Sequence, residues 1–577
     1  MNTSDPFSME ISRHIWETRY RAAGETDIRA SWRRVAQAVA QAEGEARAQW
    51  AGRFLTLLDD FRFLPGGRIL AGAGTGHRVT LFNCFVMGAI EDDLEHIFEA
   101  LKEGALTMQH GGGVGYDFST LRPAGTVAQA TGSIASGPVS FMHIWDAMCA
   151  TMLSTGARRG AMMATLRCDH PDIETFVDAK RDPAVLRHFN LSVLVSDALM
   201  AAVANDADWP LVFPGLGVTR TLKARALWQR ILQAAYDTAE PGVLFIDTIN
   251  RDNTLAGIET LSATNPCGEI PLPPYGACDL GSLNLTACVV APFTADARLD
   301  LDALAASAGT AVRFLDDVID VSRYPLPAQA EQARRKRRLG LGITGLADAL
   351  VMLGLAYDSA AARQLASLAM QRVRDAAYRA SIDLAREKGA FPALVRDAYL
   401  ASGFARRLPQ DIRTGIAAHG LRNSHLLAIA PAGTISLLAN NCSSGIEPVF
   451  AAAAERRVLQ ADGGYRTHSV RDFACQLWQQ GGGSGAPPAF VEARQLDPLA
   501  HLSMQAALQP YVDNAISKTI NVAATLPFER FAELYRQAHA LGLKGCTVFR
   551  PNPVTGAILS ETAAAAAPCC GIEREAD

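Results

Sequence analysis

The stretch NPCGEIPLPPYGACDLGSLNL, residues 265–285, puts a thiol between an amide and a carboxylate: Cys267 has Asn265 two positions before it and Glu269 two after. In an extended loop, positions i−2, i and i+2 project to one face, so the three groups are expected to meet one substrate together. For NPCG alone, a turn around a buried cysteine is the plainer alternative.

Outward from this loop, composition sets the class. The chain has 577 residues, 49% hydrophobic and 20% charged, which excludes a disordered or collagen-like polymer and gives room for one large enzyme core. A formal net charge of −5 supplies no global basic field for a nucleic-acid polymer, but it leaves free nucleotides as ligands. No apolar run reaches the roughly 18 residues of a membrane span. The start, MNTSDPFSMEISRHIW, has neither the basic nor the apolar part of a secretory signal, so a cytoplasmic protein with reduced thiols is expected. Eleven cysteines (84, 149, 168, 267, 278, 288, 442, 475, 546, 569 and 570) then need a role other than a disulfide framework. None form a C-x-x-C pair, and no metal site is expected.

Along the chain, residues 1–60 read as amphipathic helices, with Ile11, Ile15, Trp16, Trp32, Val35 and Val39 at three- and four-residue steps. From 61 to 290, short apolar runs (TLFNCFVMG, FNLSVLVS, PGVLFIDT) alternate with Gly-rich turns and with helices such as 93–109, a pattern of α/β class. Residues 300–390 read as helices packed outside a sheet. Strand-like runs return at LLAIAPAGTISLLA and CTVFRP, and QGGGSGAPP (480–488) reads as a surface loop.

Several local motifs fail on context. Gly340-Leu341-Gly342-Ile343-Thr344-Gly345 fits G-x-G-x-x-G, yet the basic run Arg334–Arg338 precedes it where a dinucleotide fold needs a buried strand; that run is expected to be a solvated helix face. His110-Gly111-Gly112-Gly113 resembles an esterase oxyanion loop but has no G-x-S-x-G to serve. His170 and His188 are expected to be structural.

The 265–285 stretch is similar to the active-site loop and following strand of ribonucleotide reductases, whose catalytic subunits carry N-x-C-x-E and then A-C-N-L-G-S. LFNCFV (81–86), GGGVGYDFSTLRP (111–123), RRGAMMATL and HPDIETFVDAK (158–180), PAGTISLLANNCSSGIEP (431–448) and LKGCTVFRPN (543–552) resemble further blocks of that family, in its order. The resemblance implies a ten-stranded α/β barrel with the Cys267 loop threaded through its centre. It also implies a helical domain at 1–60, a catalytic barrel at 61–550 and a flexible tail at 551–577. Residue by residue, it implies Cys267 as the thiyl radical that removes the ribose 3'-hydrogen, Glu269 as general base toward the 3'-hydroxyl, and Asn265 as hydrogen-bond partner of the sugar. Cys84 and Cys278 become the reducing pair. Pro431, Ala432, Gly433, Thr434, Ile435 and Ser436 match the loop that holds substrate phosphates, whose free N–H groups and hydroxyls suit that task. Arg158, Lys180 and Arg187 fall on loops that sense a deoxynucleotide or ATP effector at a homodimer interface. Cys569 and Cys570 become a shuttle to a thioredoxin- or glutaredoxin-like reductant. One departure is Asp279, where the family commonly has Asn.

Members that receive their radical from a second subunit carry an adjacent tyrosine pair late in the barrel; the matching segment Lys544–Arg550 has none, and no terminal glycyl-radical loop is found. The resemblance therefore points to the adenosylcobalamin-dependent class acting on ribonucleoside diphosphates. Its alternatives are a partner-dependent large subunit that lost the tyrosine pair and a catalytically silent nucleotide-binding regulator.

Overall fold

The computed structural model describes residues 5–127, 132–154, 158–159, 161–182, 184–459 and 465–551. Helices Ile28–Val39 and Arg47–Leu58 open the chain after a short Glu10–Ile15 helix. Asp27 caps Ile28–Val39 by accepting from the Ala30 N–H, and Trp32, Val35 and Val39 turn one stripe inward. The helix expected at 93–109 is present as Leu94–Gln109, with the Asp93 side chain accepting from the His96 N–H as its cap.

Ten strands form the central sheet: β1 Phe63–Pro65, β2 Cys84–Val86, β3 Gly113–Asp117, β4 Met162–Arg167, β5 Phe189–Val195, β6 Gly242–Phe245, β7 Ala277–Asn284, β8 Leu339–Thr344, β9 Thr519–Asn521 and β10 Gly545–Phe549. Strands β2 to β6 run parallel in chain order. Strand β7 is parallel to β8, and β9 to β10. The β2–β6 group runs antiparallel to both of these pairs, meeting them at β2 against β7 and at β6 against β10. The regular ladders stop short of a closed ring. Between β8 and β9 runs the extended segment 425–430, held by single bridges from Leu341 to Leu427 and from Ile429 to Ile516. Thus LLAIAPAGTISLLA, expected as a strand, is half this irregular stave and half the helix Gly433–Leu438.

Inside the sheet sits a hairpin, Ala263–Thr264 paired with Pro271–Leu272. Its Ala263, Ile270 and Leu272 form one apolar cluster with Cys84, Val86, Cys278, Leu280, Ala428 and Ala430. The two-residue spacing on each stave is the inward face of an extended strand. Every position of β7 is buried, because helix Leu301–Val321 covers its outer face while the hairpin fills its inner one.

The G-x-G-x-x-G residues are strand β8 itself and the turn after it. A Cβ at Gly340 or Gly342 would strike Leu280 or the Ala428 carbonyl, so these glycines allow close staves rather than a cofactor. The basic run corrects its expectation in part. Arg334 and Arg335 are exposed, but Lys336, Arg337 and Arg338 are buried and paired: Lys336 and Arg338 with Glu259, Arg337 with Asp316 and Asp320. Among the described residues, no helix is long and apolar enough to cross a membrane.

Asp279 lies one residue from Cys278 on β7, so its side chain takes the opposite face of the sheet. Both carboxyl oxygens are buried without a hydrogen-bond partner. Burial holds this carboxyl well above the usual carboxylate range, with Asp316 reinforcing the shift and Arg337 opposing it. The departure from Asn therefore places behind the cysteine an acid whose burial disfavours its charged form.

Two expectations follow for stability. A Cβ at Gly115 would collide with the Thr264 carbonyl oxygen, so Gly115→Ala must push hairpin or strand aside, at a cost of about 1–3 kcal/mol in urea denaturation. An unchanged urea midpoint would show that the hairpin does not press on β3. An acid whose folded pKa is raised is most stabilising below its unfolded pKa and loses that contribution as pH climbs toward the folded value. The difference in thermal midpoint between Asp279→Asn and the parent should accordingly move in favour of Asn from pH 4 to pH 8, and a pH-independent difference would contradict an Asp279 carboxyl raised by burial.

Candidate active site

The tip of the internal hairpin is a tight turn, not the extended loop expected from the sequence. The Gly268 N–H donates to the Asn265 carbonyl at 3.1 Å, and Gly268 takes a left-handed φ of +85°. The Asn265 Oδ1 accepts from the Ile270 N–H at 3.0 Å, which fixes the amide's orientation. Two contacts from the barrel wall steady the turn: Asn190 Nδ2 donates to the Pro266 carbonyl at 2.9 Å, and the Ala515 N–H donates to the Glu269 carbonyl at 2.9 Å.

With its orientation set, Asn265 Nδ2 reaches both neighbours, donating to Glu269 Oε1 at 2.8 Å and to Cys84 Sγ at 3.2 Å. Amide and carboxylate thus meet through the turn rather than through strand alternation. Glu269 is fully buried, and burial pushes its carboxyl up to about 7 against the lowering effect of the hydrogen bonds from Asn265 and Cys84. Its Oε2 has no partner. A carboxylate with one oxygen anchored, one open and a pKa near neutrality is suited to accept a proton.

Cys84 on β2 and Cys278 on β7 are direct cross-strand partners. Opposed residues of an antiparallel pair lie about 4.5–5.5 Å apart at Cα, inside the roughly 4.4–6.8 Å window of a disulfide. Both are fully buried free thiols, and burial drives their pKa values far up. Such thiols stay protonated, which disfavours ionic nucleophilic chemistry and suits transfer of hydrogen atoms and electrons. Cys267, at the turn, is half-exposed, and it lies close enough to Cys84 to disfavour ionisation of that buried thiol further.

The other residues singled out from sequence are placed as follows. Pro431 and Ala432 lead into helix Gly433–Leu438, so Gly433, Thr434, Ile435 and Ser436 are its first residues, and the Ala432 N–H donates to Ser444 Oγ at 2.7 Å. The stave 425–430 delivers this segment beside the hairpin, since Ala428 and Ala430 share the hairpin's apolar cluster. Lys180 donates to the Phe189 carbonyl at 2.6 Å and to Glu240 at 2.7 Å, with only 12% of its side chain exposed, so its charge is committed within the fold. Arg187 is exposed; Arg158 lies on a short strand, and its side chain falls outside the described residues. Cys569 and Cys570 lie outside the described residues. His170, with its ring accepting from the Asp172 N–H and facing the Leu121 carbonyl, is structural as expected, and His188 pairs with Asp146. Asn190 went unnoticed in the sequence; its signal was a lone amide inside the apolar run FNLSVLV.

Comparison with known proteins identifies the family. The family model described as ribonucleotide reductase, barrel domain matches residues 82–549, and the one described as ribonucleotide reductase, all-alpha domain matches residues 7–78. A vitamin B12-dependent ribonucleoside-diphosphate reductase of Mycobacterium tuberculosis (strain CDC 1551 / Oshkosh) is 43% identical over 557 residues, covering 92% of this chain and 76% of the relative. One from Thermoplasma acidophilum is 37% identical over 540 residues, 90% of this chain and 67% of the relative. A vitamin B12-dependent ribonucleotide reductase of Streptomyces clavuligerus is 28% identical over 561 residues, 84% of this chain and 58% of the relative. A hairpin carrying Asn265, Cys267 and Glu269 beside an opposed cysteine pair, within the residues that the barrel-domain model matches and behind those that the all-alpha model matches, leaves one conclusion: the chain belongs to the ribonucleotide reductase family.

Proposed function

We propose that the protein reduces ribonucleoside diphosphates to 2'-deoxyribonucleotides by thiyl-radical chemistry with adenosylcobalamin as cofactor. The observation that carries this reading is the cross-strand register of Cys84 and Cys278 beside the Asn265–Glu269 hydrogen bond. The residues present suit the cofactor. Cys267 and Gly268 form the half-exposed tip of an otherwise buried turn, a Cβ on Gly268 would meet nothing within 4 Å, and β10 carries no tyrosine. Cys267 and Gly268 would face it. When bound, adenosylcobalamin supplies a carbon-centred radical able to remove the Cys267 hydrogen atom.

The chain's own groups do the rest. The Cys267 thiyl takes the 3'-hydrogen, Glu269 accepts the 3'-hydroxyl proton, and the 2'-hydroxyl leaves as water. Cys84 and Cys278 give two electrons and two protons and become a disulfide, so substrate plus two thiols yields deoxynucleotide, water and one S–S bond. Cys267 then returns its hydrogen to C3'. Asn265, held toward both Glu269 and Cys84, keeps base and reductant in one frame, and the Pro431–Ser436 segment holds the phosphates. A deoxynucleotide or ATP effector acts on the loops of Arg158 and Arg187 in a homodimer, and Cys569 and Cys570 pass electrons from a thioredoxin- or glutaredoxin-like protein to the buried pair.

The lone chain with adenosylcobalamin, cytidine diphosphate and dithiothreitol should form deoxycytidine diphosphate. Cys267→Ser should lower turnover by about 10³-fold or more while substrate still binds. A requirement for a second protein would favour the partner-dependent subunit, and nucleotide binding without turnover would favour the silent regulator. After one turnover without reductant, peptide mass spectrometry should find Cys84 joined to Cys278; product formed with both thiols still free would remove them from the reaction.

A further inference from the structure

The start of the chain and the end of the short helix Gly433–Leu438 meet across 425 to 434 positions of sequence. Ser12, fully buried, donates its Oγ–H to the Leu437 carbonyl at 2.6 Å. That carbonyl lies in the last turn, where C=O groups have no partner within the helix. Just beyond, Asn440 takes a left-handed φ of +57° and makes a reciprocal pair: its Oδ1 accepts from the Ser8 N–H at 2.8 Å, and its Nδ2 donates to the Pro6 carbonyl at 2.9 Å. Gln476 Nε2 adds a third bond, to the Ser8 carbonyl at 3.1 Å. The clamp is itself anchored, because Phe7 packs at 6.0 Å from the rings of both Trp16 and Phe61 in the helical domain. At the other end of the same helix, Ala432 is fixed by Ser444. Six helical residues span only about 9 Å, so the helix moves as one rigid body and a shift at its carboxyl end is felt at Ala432–Gly433.

We infer that Ser12 and the Ser8–Asn440 pair are positioning residues for substrate: the amino-terminal segment sets the height and tilt of helix 433–438 and so the placement of residues 431–436 against the substrate's phosphates. This rests on the reading of 431–436 as the phosphate segment. The experiment measures, on the full chain, the Kd of cytidine diphosphate by equilibrium dialysis, and KM and kcat with adenosylcobalamin present. Ser12→Ala and Asn440→Gly are the test variants; glycine keeps the positive φ without strain, so the second stands even if the first fails to fold. Ser436→Ala is the control within the segment itself. Both test variants should raise Kd and KM roughly 3- to 10-fold with kcat within about 2-fold, the pattern of lost uniform binding. If Ser436→Ala weakens binding and the two test variants do not, the clamp is overturned and the phosphate reading stands. If none of the three changes Kd or KM, the phosphate reading fails and the clamp with it. A loss confined to kcat also overturns it.

Discussion

A ring of about ten strands is too wide for its own side chains to fill. Here a backbone hairpin fills it, and the rest of the site depends on that choice. Peptide groups at the centre of a barrel must find hydrogen-bond partners, and they find them in the wall: Asn190 takes the Pro266 carbonyl, Ala515 the Glu269 carbonyl, and Thr165 Oγ1 the Ser262 carbonyl. The same demand fixes Asn265, whose side-chain oxygen is used by the Ile270 N–H, leaving only its amide hydrogens for Glu269 and Cys84. The amide's role in chemistry is thus a by-product of closing the turn.

Burial then decides what kind of chemistry the groups can support. Cys84 and Cys278 are kept as neutral thiols, and Glu269 is held near neutrality by the same lack of water that raises them. A site that strongly disfavours charge on sulfur disfavours heterolytic steps there, whereas moving a hydrogen atom creates no charge.

How much of this was legible in the sequence varies with the range of the interactions. The cysteines, Asn265 and Glu269 stood out because they sit in short blocks whose residue types are chemically unusual. The α/β alternation and the capped helix at 94–109 were legible because period and cap are local signals. The turn at 265–270 reads as extended in the sequence, since what bends it is the Ile270 N–H donating to the Asn265 side chain and a glycine at positive φ. Lys336, Arg337 and Arg338 read as solvent-facing because their carboxylate partners, Glu259, Asp316 and Asp320, are remote in sequence. The 426–439 run reads as one strand because an apolar stave and a buried short helix have the same composition.

The two cysteines lie on β2 and β7, which is one of the two seams where the antiparallel halves of the barrel join. A bond between them would be a rivet through that seam. It would tie two halves otherwise joined there by main-chain hydrogen bonds and packing, and close a covalent loop from residue 84 to residue 278. The reduced and oxidised proteins would then differ mechanically as well as chemically: one has a seam that can breathe, the other a seam locked shut.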